Sequence, residues 1–431
     1  VRCREVQCVA MKWSRLLLLM AGWHARAPSI EASEPPTADR VPQLIRQLGA
    51  LRQQDRAAAL RELESFGPEL LPLLPDADAV ADAATRDTLA RLRIVLQRRL
   101  ARDSAQASLV TLATRLPLPD LLAELSRQTG NRLTIAADVE QPSPITVHWH
   151  ATPFWNAVHD ISQATGLQLD WNAEQSQWEW RRADAALPAL STAVSGPFRI
   201  AVRSLTWKPL PQRNQRLWRV SLAIQAEPRL RPLFFAVRSA DWTAQADDAF
   251  LSAWNPEDDY ELPFGIHGGE VSWMLNFVAP PAVQPEGEWS LVGRGAVHLA
   301  AGAEPFVFES ADWPRGKRVR RGDVVVRFLP IEQRRDGERV VKLSLSYPQG
   351  GPAFESHRAG MFHRGGRMEG ANGQSVPFQD FEVVAEGPGA VALEYRFDQA
   401  AADARRFVYV APSLLLDAPV AVAFPRLPRP R

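Results

Sequence analysis

From Phe198 to about residue 425, apolar and polar residues alternate in run after run, and this alternation constrains the fold more than any other feature. Phe198, Ile200 and Val202 make one run, Trp218, Val220, Leu222 and Ile224 a second, and Val271, Trp273, Leu275 and Phe277 a third. Successive side chains on an extended strand point to opposite faces, so a period of two makes one apolar face and one polar face. One strand of this kind buries nothing. Gly/Pro turns between the runs bring the chain back beside itself, and an antiparallel sandwich is the expected outcome. The scheme restarts at Gly322 with Val324, Val326 and Phe328, then Val341, Leu343, Leu345 and Tyr347. Val391, Leu393, Tyr395 and Phe397 follow, and Phe407 and Tyr409 come last.

The first part of the chain changes period. Val41, Leu44, Ile45 and Leu48 recur at helical spacing, the stripe of an amphipathic helix. A second helix is expected from an N-cap at Asp55 through Leu60, Leu63 and Phe66, with Gly67-Pro68 as its stop. A third carries Leu89, Leu92, Leu96 and Leu100. The text LIRQLG…DRAAALRELESFGPELLPLL…ATRDTLARLRIVL resembles a degenerate HEAT-type helical unit, at residues 40–102. Such hairpins stack because one alone cannot cover its apolar face.

Between these regions, residues 107–182 repeat one plan twice. A strand at Leu109 to Ala113 precedes a helix bearing Leu118, Leu121, Leu122 and Leu125, which ends at Gly130, and a strand over Arg132–Ala136 follows. Then Ile145, Val147 and Trp149 alternate as a strand, a helix after Thr152-Pro153 carries Phe154, Val158 and Ile161 to Gly166, and strands cover Leu167–Trp171 and Gln177–Arg182. The endings LSRQTG and ISQATG lie 36 residues apart (Gly130 to Gly166). The stretch from LPLPDLLAELSRQTG to ISQATGLQLDW resembles the secretin and TonB short N-terminal domain. That resemblance implies a small periplasmic α+β module that touches other envelope proteins. The segments GPAFESHRAGMF and GMFHRGGRMEGANGQSVPFQDFE resemble an exported bacterial multidomain family, which implies an architecture and no activity.

The expected fold class is therefore multidomain α+β. A signal region and linker occupy 1–39, the HEAT-like helical segment 40–102, and the βαββαβ short N-terminal-type module 107–182. Two immunoglobulin-like β-sandwich domains follow, at 195–312 and 315–425. A length of 431 residues suits two to four domains. From Met11 the text MKWSRLLLLMAGWHARAPS follows the plan of a secretory signal. Lys12 and Arg15 form the basic start, Leu16 to Trp23 the apolar stretch and Ala25-Arg26-Ala27 the cleavage site. Export to the periplasm or cell envelope is expected, with translation starting near Met11. The apolar run is far shorter than a spanning helix needs, so no transmembrane span is expected. Cys3 and Cys8 both precede Met11, so an exported chain would carry no thiol chemistry and no Cys-based zinc site.

Candidate chemistry is sparse. His148 and His150 share one face of a strand, with His159 on the next helix, but a zinc site needs three or four converging ligands. Ile145, Val147 and Trp149 take the core face, so both strand histidines are expected in solvent. Asp247-Asp248 and the run Glu257-Asp258-Asp259-Tyr260-Glu261, the second without calcium-loop spacing, read as solvated connections between strands. Ser356-His357 cannot pair as nucleophile and base, because neighbours on a strand face opposite ways. Gly365-Gly366 and Asn372-Gly373 read as hairpin turns. Arg315 to Arg321 (RGKRVRR) reads as a charged edge strand or linker, and a net charge of +1 argues against a nucleic-acid partner. Of the 14 tryptophans, Trp149, Trp218 and Trp273 fall at core positions, while Trp178 and Trp180 share one face, for which core packing is the default and exposure the alternative.

No catalytic, cofactor-binding or metal residue is assigned, no cofactor is expected, and the ligand-binding residues stay unknown. The expected function is a non-enzymatic envelope scaffold or protein–protein interaction protein, with another envelope protein as partner. The alternative is carbohydrate or peptidoglycan binding, a glycan held by tryptophans on a β-sandwich face.

Overall fold

The structure, a computed structural model, describes residues 39–75, 80–140, 142–172, 175, 177–182, 189–210, 215–247, 249–264, 269–280, 283, 287–322, 324–334, 337–347, 365–371, 373–387, 389–398 and 401–429. Ser356-His357, the segment GPAFESHRAGMF and the signal region up to residue 38 lie outside the described residues. The chain is mixed α+β, with a few helices and large antiparallel sheets. It forms two compact units, one up to Leu96 and one from Gln97 onward.

In the first unit, α1 (Arg40–Leu48) and α2 (Gln53–Ser65) are followed by a 3-10 turn, Gly67–Leu73, and by the start of α3 (Ala83–Ser104). Val41, Leu44 and Leu48 of the predicted stripe are buried with Leu63, Leu70, Leu89, Leu92 and Leu96. Helix α2 starts two residues before the expected cap, so Asp55 sits in its first turn, beside the positive end of the helix dipole. Asp82 caps α3, accepting from Thr85 N at 2.8 Å and Thr85 Oγ1 at 2.6 Å. The Thr85 hydroxyl and amide hold the Asp82 carboxyl below its ordinary range. Leu100, placed on the apolar stripe by spacing alone, is 45% exposed.

The second unit opens with the α+β module. Strands Leu109–Leu116 and Ile145–Pro153 pair antiparallel, and Thr134–Ile135 lies parallel to Gln177–Arg182, which pairs antiparallel with Leu167–Asn172. Helices α4 (Leu118–Thr129) and α5 (Phe154–Thr165) pack their leucine and aromatic faces between them. The repeated Thr-Gly endings have one physical cause. Thr129 Oγ1 donates to Leu125 O at 2.6 Å and Thr165 Oγ1 to Ile161 O at 2.8 Å, and each hydroxyl then accepts the N–H two residues on. Gly130 (φ 73°) and Gly166 (φ 71°) turn the chain left-handed there, a conformation cheap only for glycine. The strand expected over Arg132–Ala136 is only Thr134–Ile135.

The rest is two β bodies joined by one ribbon. Ser191–Ser195, Phe198–Leu210, Gln215–Ala226 and Glu270–Ala279 lie side by side. Ala249–Ala253 and Trp242–Ala246 continue the sheet to two long strands, Trp289–Glu309 and Ala404–Leu427, which pair from Leu291↔Phe424 to Phe308↔Phe407. The sheet curls until its first and last strands approach, and Ala421 N donates to Ser195 Oγ at 3.0 Å. Inside lie Trp218, Trp242, Trp273 and Trp289 with the apolar alternation of each strand. At the far end of the ribbon, Phe306, Phe308, Phe407 and Tyr409 face a second, six-stranded sheet across a core holding Val326, Leu343, Leu393 and Tyr395. Ala418, Val420, Val422 and Phe424 thus complete the first core, although they come after the whole second body in sequence.

Two glycines let the ribbon lie flat on aromatic rings. A Cβ on Gly293 would meet Trp242 Cδ2 at 2.0 Å, and one on Gly295 would meet Phe235 Cε2 at 2.6 Å. Of Gly365-Gly366, expected as a hairpin turn, the second residue opens a strand. Gly366 is a strand residue opposite Tyr409, and a Cβ there would meet the Tyr395 ring at 2.7 Å. Gly373, at φ 78°, lies between the paired strands Gly366–Gly370 and Ser375–Val376, while Asn372 lies outside the described residues.

Candidate interaction surface on the α+β module

The module is bolted to the first β body by a buried polar joint. Glu227, 1% exposed, accepts Ser108 N at 2.9 Å, Ser108 Oγ at 2.6 Å and Arg229 Nε at 2.7 Å. Asn131 Nδ2 donates to Ser108 Oγ at 3.1 Å, and its carbonyl accepts Arg229 N at 2.9 Å. The Arg229 guanidinium also reaches the carbonyls of Ser104 and Gln106. Beside it, Trp155 Nε1 donates to Pro197 O at 2.9 Å, and the Arg199 guanidinium stacks 4.5 Å above the Trp155 ring. Burial pushes the Arg199 guanidinium down to about 10, opposed by the Asp170 charge. A buried charge persists only when every donor and acceptor is matched, as here.

One strand edge of the module is open. Among the described residues, Leu109–Leu116 has one strand neighbour, Ile145–Pro153. Ser108 O accepts Phe154 N at 2.9 Å on that paired side. Thr111, three residues on, directs its N–H and C=O the other way, to Gln128 Oε1 (2.9 Å) and Gln128 Nε2 (3.0 Å) of α4. The Gln128 amide thus takes the place of a neighbouring strand. By the alternation of strand backbone, the N–H and C=O of Ala113 and Arg115 also point to the free side. Between this edge and α4 runs a groove of about 420 Å³ lined by Leu112, Thr114, Leu116, Asp120, Ala123, Glu124 and Arg127. Its floor is largely apolar and its rim is charged. Glu124 accepts from Arg127 Nε at 2.8 Å and from Gln128 Nε2 at 2.6 Å. The Arg127 and Gln128 hydrogen bonds lower the Glu124 carboxyl to about 2, so it is ionised at any physiological pH.

The residues singled out from sequence scatter over the molecule. His148 and His150 are exposed beside buried Ile145, Val147 and Trp149, and His159 is exposed on α5. Among the described residues no group of three or more His, Cys, Asp or Glu is placed to hold a metal ion. Asp247 accepts Glu288 N at 2.9 Å. Asp258 accepts the Tyr260 hydroxyl at 2.6 Å, and its carbonyl accepts Ser239 N at 2.8 Å, so these acids tie down turns. Trp178 and Trp180 are 4% and 0% exposed. They take the core position that is the default for them, facing α5, where Trp155 meets Trp178 edge-on at 6.0 Å. Among the described tryptophans only Trp254 is exposed. The groove was missed from sequence because the edge belongs to the pairing pattern and not to any residue type. The polar joint was missed too; its one signal is a Glu-x-Arg pair directly after the apolar alternation ending at Ala226.

No family model matches the chain, and no curated protein matches it. Among solved structures, the atomic model of the Salmonella SPI-1 type III secretion injectisome basal body proteins InvG, PrgH and PrgK matches over 73% of this chain and 92% of that one. The identity is 8% and the TM-score 0.15. At that score the two chain paths do not coincide. Among the described residues no helix is long and apolar enough to cross a membrane.

Proposed function

We propose that this chain is a non-catalytic scaffold of the cell envelope, whose α+β module docks an extended segment of a partner protein along the edge strand Leu109–Leu116. The architecture proposed with it is a HEAT-like unit, a module of the secretin and TonB short N-terminal type, and two sandwiches of immunoglobulin type. The observation that carries the reading is the Gln128–Thr111 amide pair at 2.9 and 3.0 Å. It marks an edge where a strand neighbour fits, next to an apolar groove able to take that neighbour's alternate side chains.

The test uses the full chain in its envelope fraction, with a photo-crosslinking amino acid at Ala113, at Arg115 or, as control, at His159. Adducts to one defined protein from Ala113 and Arg115, lost on closing the groove with Ala123→Arg, support the reading. Equal adducts from His159, or adducts indifferent to Ala123→Arg, refute it. Hydrogen exchange supplies a second check without a partner: Thr111 N–H is expected to be protected, and the N–H groups of Ala113 and Arg115 to exchange at least about tenfold faster.

A further inference from the structure

The six-stranded sheet carries opposite charge on its two outermost strands. One edge is Lys317–Arg321 (KRVRR), where only Val319 is half-buried. The other is Asp380–Gly387, where Asp380 and Glu382 face solvent while Phe381 and Val383 pack towards the core. The order between them is Val324–Phe328, Arg339–Ser346 and Ala390–Phe397, each antiparallel to the next. Two outermost strands separated by three antiparallel strands point the same way. Repeating the sheet by simple translation therefore lays the basic edge of one copy parallel to the acidic edge of the next, with the same face outward.

The residues match in that arrangement. Val319 comes beside Phe381 on the core side, Arg318 beside Asp380 and Arg320 beside Glu382 on the outer side. Among the described residues Arg318 has no acidic partner, while Arg320 meets only the Gly322 carbonyl at 3.4 Å. Asp380 and Glu382 share a single cation, Arg396, at 3.3 and 3.0 Å. Pairing like edges would set cation against cation or acid against acid, which is destabilising in neighbouring strands. A bulge at Val384, between the Val383↔Leu393 and Ala385↔Ala392 pairs, limits the regular acidic edge to Asp380–Val383, about the length of the basic strand.

We infer that a second copy of this chain docks here: the basic edge Lys317–Arg321 of one molecule joins the acidic edge Asp380–Val383 of the next, head to tail. A contact between two different surfaces leaves one edge free at each end, so association continues in a line. This surface is separate from the groove on the α+β module, and neither reading requires the other.

Sedimentation velocity of the full chain at about 50 mM and about 500 mM salt tests it, since exposed charge pairs weaken as the Debye length falls. Concentration-dependent species larger than a monomer are expected at low salt, with at least about tenfold weaker association at high salt. The pair Arg318→Glu/Arg320→Glu sets acid against Asp380 and Glu382 on the outer side of the contact, and Asp380→Arg/Glu382→Arg sets Arg against Arg318 and Arg320. Each variant alone is expected to stay monomeric, and an equimolar mixture of the two to assemble again. Circular dichroism of each variant verifies folding, and the salt series stands without any variant. A chain monomeric at every concentration overturns the inference, as does assembly indifferent to salt or a mixture of folded variants that does not recover.

Discussion

Replacing Glu227 by alanine is the sharpest perturbation this structure offers. The side chain is fully buried and receives hydrogen bonds from Ser108 N, Ser108 Oγ and Arg229 Nε at 2.6–2.9 Å, with Asn131 Nδ2 at 3.4 Å. Its loss strands the Ser108 amide and leaves Arg229, whose side chain is 17% exposed, without its anion. Breaking a buried ion pair from one side costs about 3–5 kcal/mol. Arg229 keeps the carbonyls of Ser104 and Gln106, which places the expected loss at the lower end, about 3 kcal/mol. Glu227→Gln keeps the volume and one acceptor, so roughly 1.5–3 kcal/mol is expected. Urea unfolding at neutral pH measures the total, and hydrogen exchange locates it. Peptides spanning Ser104–Asn131 are expected to lose protection first, because the module lets go of the β body before either melts. In a double-mutant cycle, Ser108→Ala and Glu227→Ala are expected to be coupled by more than about 0.5 kcal/mol. A Glu227→Ala cost below about 1 kcal/mol, or protection lost evenly over the chain, would refute the view that this carboxylate fastens the module.

Gly293→Ala is expected to destabilise by roughly 1–3 kcal/mol, because the new methyl group would sit 2.0 Å from a Trp242 ring that is itself packed on Trp273 at 5.8 Å; thermal unfolding beside the exposed control Ala421→Gly reads the difference, and an unchanged midpoint contradicts the packing. Glu124 is expected to remain ionised well below the usual carboxylate range. Its pKa is lowered in the folded state to about 2, so its stabilising contribution is complete above the ordinary value of 4.5 and fades as pH falls towards 2. Carboxyl NMR measures it, and a midpoint near 4.5 removes the Arg127–Gln128 clamp from the account.

Much of the fold was legible in the sequence. Every alternating run from Phe198 to Tyr409 is a strand, since one-sided burial imposes a period that survives any tertiary arrangement. The Thr-Gly endings marked both module helices because the threonine hydroxyl and the left-handed glycine act within a single turn. What stayed open or failed depended on neighbours distant in sequence. Trp178 and Trp180 left exposure as an alternative to core packing, and only the approach of α5 decides for the core. Gly365-Gly366 has the composition of a turn, but its smallness serves the Tyr395 ring. Likewise the pairing of residues 289–309 with 404–427 gives no local signal. The candidate docking edge was the least legible part, because an unpaired strand has the same residues as a paired one.

The ribbon also sets an order on biosynthesis. When residues 191–309 have left the ribosome, the first β body still lacks Ala418, Val420, Val422 and Phe424, and the side of Trp289–Glu309 that they cover stands bare. It must wait while roughly a hundred further residues, the whole of the second body, are made, at about 5–20 residues per second. For those seconds a nascent chain presents a long apolar β-edge to its surroundings, the kind of surface that invites a holding chaperone or a wrong neighbour.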